Sequence, residues 1–179
     1  MVRASSRRKL LYAALRDTRG ATAVEFALLA IPFFGLIAAI LQTSLVFISS
    51  QVLESAVIDA SRYVRIGEAQ KQGTAEYKKQ ICDRLYGLFG DCQDMHLRVD
   101  TIQTFKSTAP TIPVDITCPA ECDWTTPETW APGGASSVVM VQAYFRYPVP
   151  IPLGPLSIAN LADGTRLIGS TFVFMNEPF

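Results

Sequence analysis

Histidine is nearly missing from this chain: its 179 residues hold one, His96. A single imidazole leaves little from which to assemble acid–base or nucleophilic chemistry. There is also no paired-carboxylate motif, no Gly-x-Ser-x-Gly and no glycine-rich phosphate loop. No Asp/Cys/His cluster has the spacing of a metal site. The chain therefore reads as non-enzymatic, without metal or cofactor. A basic surface is missing as well, except at the start. Residues 1–20 carry six of the 16 Lys/Arg (Arg3, Arg7, Arg8, Lys9, Arg16, Arg19) and one of the 16 acids, Asp17, a net +5 that leaves net −5 for the remainder. A remainder with excess acid argues against nucleic acid as a partner. The most extended absence is of charge itself: the 28 residues from Phe26 to Leu53 have none.

That uncharged run is also the longest apolar feature of the chain. As a helix it would span about 42 Å, more than the ~30 Å hydrocarbon core of a bilayer, so a single-pass membrane helix is expected. The cations precede it, which keeps the N-terminus in the cytoplasm and exports the residues beyond the helix. A conventional signal peptide has a shorter apolar region, with small residues at a cleavage site after it. Here the small-residue junction, Arg19-Gly20-Ala21-Thr22-Ala23-Val24-Glu25-Phe26, comes before the run. A cut at Gly20 would leave the anchor attached. Glu25 is the one acid in the apolar segment, and an ionised residue deep in a bilayer costs about 2.5–3.5 kcal/mol on insertion scales. It needs a partner, and the amine freed at Ala21 by such a cut would supply one. Pro32 and Gly35 interrupt the helix interior; proline there removes one hydrogen bond, to the carbonyl of Leu28.

The helix is expected to continue beyond the membrane. Leu53, Ala56, Ala60, Val64 and Gly67 recur at helical spacing, opposite Glu54, Asp59, Arg62 and Arg65. Asp59 and Arg62 stand at i, i+3 and are candidates for a weak pair, and Gly67 is a stop signal. A second helix is expected over residues 74–89, with the stripe Tyr77, Ile81, Leu85 and Leu88, ending at Gly90. Strands are expected at 97–105, 114–117, 138–147 and 166–176. Pro148, Pro150, Pro152 and Pro155 stop the third, and residues 162–165 turn into the fourth. Trp124 and Trp130, in the loop between the second and third strands, are expected to cover a small core. The fold class is α+β: a long N-terminal helix, then a head of one helix and a small antiparallel sheet. The domain layout is a basic leader 1–20, a transmembrane and assembly helix 21–66 and an exported head 67–179.

All four cysteines, Cys82, Cys92, Cys118 and Cys122, fall in the exported part. In an oxidising compartment an even number reads as two disulfides. Three pairings are possible; closeness in sequence favours Cys82–Cys92 and Cys118–Cys122. The C-x3-C of the second pair lacks the two-residue spacing of a redox pair, and no histidine except His96 is there to complete a metal site.

The stretch Arg19-Gly20-Ala21-Thr22-Ala23-Val24-Glu25-Phe26-Ala27-Leu28-Leu29 resembles TadE-like minor pseudopilins of tight-adherence (Tad, or Flp) pilus systems. The likeness continues in Leu53-Glu54-Ser55-Ala56 and Asp59-Ala60-Ser61-Arg62-Tyr63. It returns in Arg146-Tyr147-Pro148-Val149-Pro150 and Asn176-Glu177-Pro178-Phe179. The resemblance implies cleavage after Gly20 by a prepilin peptidase, with Gly20, Ala21, Glu25 and Phe26 as the processing residues and Glu25 as the recognised fifth mature residue. It further implies a pilin-like structural role in assembling a bacterial adhesion pilus, with other Tad pilins and pseudopilins and the Tad assembly platform as partners. The location implied is the bacterial inner membrane, N-terminus cytoplasmic and head periplasmic, with the head extracellular once inside a pilus. TadF-type chains share the signature; TadG-type chains are much longer. The rival from another class is an uncleaved single-pass periplasmic adaptor or assembly factor. For topology, an export-dependent reporter fused after Phe179 should be active. A cytoplasm-only reporter active at that position would refute the orientation.

Overall fold

The computed structural model describes residues 20–90, 92, 94–105, 112–119, 122–151, 154 and 157–179. The expected leader, apart from Gly20, lies outside the described residues, as do Pro152 and Pro155. One α-helix, α1, covers Ala21–Arg65, 45 residues with Pro32 inside. A 3-10 turn at Ala69–Lys71 and a helix α2 at Thr74–Cys82 come next. Then come strands β1 (His96–Ile102), β2 (Thr129–Trp130), β3 (Val138–Pro148) and β4 (Thr165–Met175). This is an α+β, pilin-like arrangement. The chain divides into two compact units, Met1–Leu41 and Gln42–Phe179. The division falls inside α1.

Within the second unit, α1 buries Gln42, Val46, Ser49, Leu53, Ala56, Val57, Ala60, Ser61 and Val64. These recur every three to four residues along one face. The expected stripe from Leu53 to Val64 is part of this seam, and Glu54, Asp59, Arg62 and Arg65 are exposed opposite it. The seam begins earlier than expected because its first turns use Gln42 and Ser49, polar residues that hydropathy does not mark as core. It joins Tyr77, Ile81, Leu85 and Phe89 and the sheet residues Leu97, Val99, Val139, Val141, Ala143, Phe145, Ile168 and Phe174 in one buried cluster.

The sheet order is β2-β1-β3-β4. β1–β3 and β3–β4 are antiparallel, with Val99 opposite Val141 and Val141 opposite Phe172. β2 lies parallel to β1, so the sheet is mixed rather than wholly antiparallel. Two residues between Pro127 and Pro132 are too few to show alternation, which is why β2 escapes a sequence reading. β3 is buried on both faces from Val139 to Phe145. Its outward Gln142 is fully buried and donates to the Tyr144 hydroxyl at 3.1 Å. Tyr144 faces Gly169 across the strands, and a Cβ at Gly169 would meet its ring at 2.6 Å. Glycine there lets the ring lie against the neighbouring strand.

Two expected elements differ. Residues 114–117 form no strand: Val114 makes one isolated bridge to Trp124. Asp115 Oδ1 accepts the Thr117 N–H at 2.8 Å and the Thr117 hydroxyl at 2.6 Å. That side-chain turn competes with a strand ladder and holds the Asp115 carboxyl below its usual pKa. The second helix ends at Cys82 rather than Phe89. Tyr86 (φ 52), Gly87 (φ 74) and Gly90 (φ 62) are left-handed, which no right-handed helix accommodates. Phe89, not Leu88, then supplies the buried side chain, edge-on to Phe145 at 4.6 Å.

The end of α1 is closed by a Schellman motif. Glu68 N–H donates to Tyr63 O at 3.0 Å and Gly67 N–H to Val64 O at 3.2 Å, with Gly67 at φ 83. The C-terminal residues lie over this cap. Glu177 N–H donates to Arg65 O at 2.8 Å, and its carboxylate is 3.3 Å from Arg65 Nε. The Phe179 ring would be 2.6 Å from a Cβ at Gly67. Gly67→Ala meets both obstacles. It is expected to destabilise the head by about 1–2 kcal/mol from the left-handed backbone alone, read as a lower Tm in detergent. Gly20→Ala, with open space around it, should leave Tm unchanged.

Candidate processing and assembly surface

Gly20 directly precedes α1, and Ala21 is its first residue. A Cβ built on Gly20 meets nothing within 4 Å, and its backbone is not left-handed. The fold therefore has no local need for glycine at this position. Glu25 and Phe26 stand one turn on, both exposed, Phe26 at 70%. Among the described residues no cation pairs with Glu25. From Thr22 to Leu41 no side chain is buried; Leu28, Leu29, Ile31, Phe33, Phe34 and Leu36 are each more than half exposed. The whole of the most apolar window of α1 is unburied. Water does not stabilise so much apolar surface, and by length and composition this helix can cross a membrane.

Asp59 and Arg62 are both exposed and form no ion pair among the described residues, so their i, i+3 spacing is not used. Arg65 instead pairs with Glu177. Cys82 is joined to Cys92, with Cα atoms 6.0 Å apart, where α2 gives way to the turn leading to β1. Cys118 is joined to Cys122, Cα atoms 5.4 Å apart. Cys122 is buried with Val114 and Leu161 in a small second cluster that also takes in Cys118, Trp124 and Leu167. Among the described residues no group of His, Cys, Asp and Glu could hold a metal ion.

The two tryptophans cover different clusters. Trp130 packs on the main core, 5.1 Å from the ring of the fully buried Tyr77. Burial pushes the Tyr77 phenol up to about 12, against a smaller opposing effect of Ser61 and Arg84. Trp124 stacks on His96 at 4.4 Å and has the Arg146 guanidinium 4.6 Å from its ring centroid. His96 is buried, and its Nε2 has no hydrogen-bond partner. Nothing in the composition points to this pairing; only the β1–β3 register, His96 opposite Tyr144, brings His96 near Arg146.

Residues 20–62 match the family model described as TadE-like protein. The likeness to TadE-like proteins is confined to this part of the chain. The matched span is Gly20 and α1 without its last turn, so it holds Gly20, Glu25, the exposed apolar residues and most of the buried seam. The sheet, α2 and all four cysteines lie beyond it. TadE-like proteins are structural, pilus-associated components of the Tad system. No curated protein and no solved structure matches the chain.

Beyond the TadE-like segment, His96 gives the head a pH dependence with a definite sign. Desolvation lowers its pKa below 6.5; Glu128 opposes this, and Lys78, Arg98 and Arg146 add to it. The unfolded chain then binds a proton that the folded head refuses. Stability is fully present above about pH 6.5 and falls as pH drops toward the folded-state pKa. Thermal melts of the wild type are expected to show Tm decreasing from pH 7 to about 5.5. His96→Gln should flatten that slope; an equal slope in the variant would show that another group carries it.

Proposed function

We propose that the protein is a minor pilin or pseudopilin, a structural component for assembling a bacterial Tad (Flp) adhesion pilus, cut after Gly20 by a prepilin peptidase. The observation that carries this reading is the TadE-like match over residues 20–62, which begins at Gly20 itself. Three features support it. Gly20 is glycine although the chain's own packing does not require one, as expected if an enzyme must approach the backbone there. The helix after it exposes apolar side chains along residues 22–41, suited first to lipid and then to neighbouring helices. Glu25 has no cation among the described residues, and cleavage would create one at Ala21.

In this reading the basic leader holds the N-terminus in the cytoplasm, the helix anchors the chain in the inner membrane, and the head lies in the periplasm. After cleavage, Glu25 pairs with the Ala21 amine of an adjacent pilin or pseudopilin. A carboxylate among lipid or helices needs such a cation, and a chain-terminal amine can reach a neighbour. The pair would set axial register as subunits enter the assembly platform.

Processing and pairing are separable by two variants in cells with an intact Tad system. Intact mass of the membrane-extracted wild type should begin at Ala21. Gly20→Val should remain uncut with an unchanged head Tm, because its side chain enters open space and crowds only the scissile backbone. Glu25→Gln, if cut, should lose most pili. Wild type that retains Met1 would leave the uncleaved adaptor as the function. Normal piliation of a normally cut Glu25→Gln would remove the pairing while keeping the cut.

A further inference from the structure

The head unit has two unlike ends. At one, the turn after α2, the end of β3, the start of β4 and the first head turns of α1 come together. Leu88 and Phe89 line a cavity with Phe145, Arg146, Pro148 and Thr165. Thr43, Val46, Phe47 and Ser50 line another with Ile158 and residues 166–169. Arg146, Tyr147 and Pro148 are the register partners of Leu167, Arg166 and Thr165, so both cavities flank the same end of the β3–β4 pair. At the opposite end lie Arg65, Glu177 and the contact of Asn176 N–H with Ser137 O. Phe105 comes after β1 there, three residues beyond Ile102, whose register partner is Val138.

The first end carries an exposed apolar rim. Leu45, Phe47 and Ile48 of α1 are 45%, 67% and 53% exposed, Leu88 36%, and Ile151, just past β3, 42%. Tyr86 stands out at 86% exposure and is held there by a left-handed backbone, φ 52. Among the described residues it makes no hydrogen bond or ring contact, so nothing in the described fold accounts for keeping a tyrosine in that strained conformation. Tyrosine is the residue type favoured where hydrocarbon meets headgroups, ring in one and hydroxyl in the other.

Residue counting places this rim. A hydrocarbon core of ~30 Å takes up about 20 helical residues. Counted from Phe26, it is used up near Leu45. The uncharged run continues to Leu53, yet from Gln42 onward these residues belong to the head unit. The first head turns of α1 therefore fall at headgroup depth, and whatever packs beside them falls there too. We infer that this end of the head, with Tyr86, Leu88, Ile151, Phe47 and Ile48, is a lipid-docking surface seated in the bilayer interface. The inference rests on reading α1 as a membrane anchor. Its consequence is that a subunit must lift an apolar face, not only a helix, out of lipid when it leaves the membrane.

Full-length Tyr86→Trp, Phe33→Trp and Phe105→Trp chains, each reconstituted in phosphatidylcholine vesicles, test it. The measurement is the added tryptophan emission over the unsubstituted chain, with and without lipid brominated high on the acyl chain. Quenched, blue-shifted emission is expected from position 86, as from position 33, with water-like, unquenched emission from position 105. Quenching at 33 but not at 86 would overturn the docking surface and leave the anchor standing. No quenching at 33 would overturn both. Blue-shifted but unquenched emission at 86 would mean that a second copy of the chain, not lipid, covers this face, and would also overturn the proposal.

Discussion

Everything in the head depends on one seam of α1 being narrow enough for a sheet to approach. At its centre the buried positions are Ala56, Val57, Ala60 and Ser61, between Leu53 and Val64. The small Ala56, Ala60 and Ser61 let the backbones come close, and Leu53, Val57 and Val64 fill the layer shared with β1, β3 and β4. The single polar member at the centre is satisfied internally. Ser61 Oγ donates to Val57 O at 2.7 Å and lies 3.4 Å from the Tyr77 hydroxyl. The seam thus ties α2 to α1 through Tyr77 as well as to the sheet.

The end of that seam is where the chain is most locked. Gly67 reverses the helix, and the chain terminus returns to cover the reversal. Asn176, itself buried, donates through Nδ2 to Pro132 O at 2.8 Å and Gly134 O at 3.0 Å. Gln70 Nε2 reaches Val64 O at 3.2 Å and Gly133 O at 3.3 Å. Helix end, loop 131–137 and C-terminal tail therefore satisfy one another's backbone groups, which a buried helix end requires. The tail lies outside the TadE-like match over residues 20–62, and in this fold it caps the end of α1.

The molecule separates its requirements by residue range. Residues 20–62 carry the TadE-like match, the exposed apolar side chains and the lone Glu25, features that make sense against lipid, a peptidase or neighbouring helices. The sheet and its disulfide-tied loops lie outside the match and have their own interior logic, including the His96–Trp124–Arg146 arrangement and the doubly buried β3. Disulfides at Cys82–Cys92 and Cys118–Cys122 close short loops. They brace the irregular segments that flank β1 rather than its ladder.

The sequence by itself determined the elements whose signal is long and periodic. The uncharged run and the Leu53–Val64 stripe specified α1 to its last turn, because hydropathy and a 3.6-residue period are local properties. β3 and β4 were legible for the same reason: eleven residues each, rich in β-branched and aromatic types. Gly20 and Glu25 were legible as the glycine between the basic leader and the apolar run and the lone acid in the apolar segment; that the packing does not require a glycine at position 20 came from the structure. Only the tertiary structure decided where the buried seam of α1 begins. Gln42 and Ser49 become core by position on the seam, and no composition marks them. It also decided that Asp115 turns the chain instead of leading a strand, that left-handed Tyr86 cuts α2 short, and that two residues at 129–130 become a parallel edge strand. The seam and the edge strand depend on contacts between residues distant in sequence, which no local window contains; the Asp115–Thr117 turn and the left-handed angle at Tyr86 are local, but hydropathy and period do not mark them.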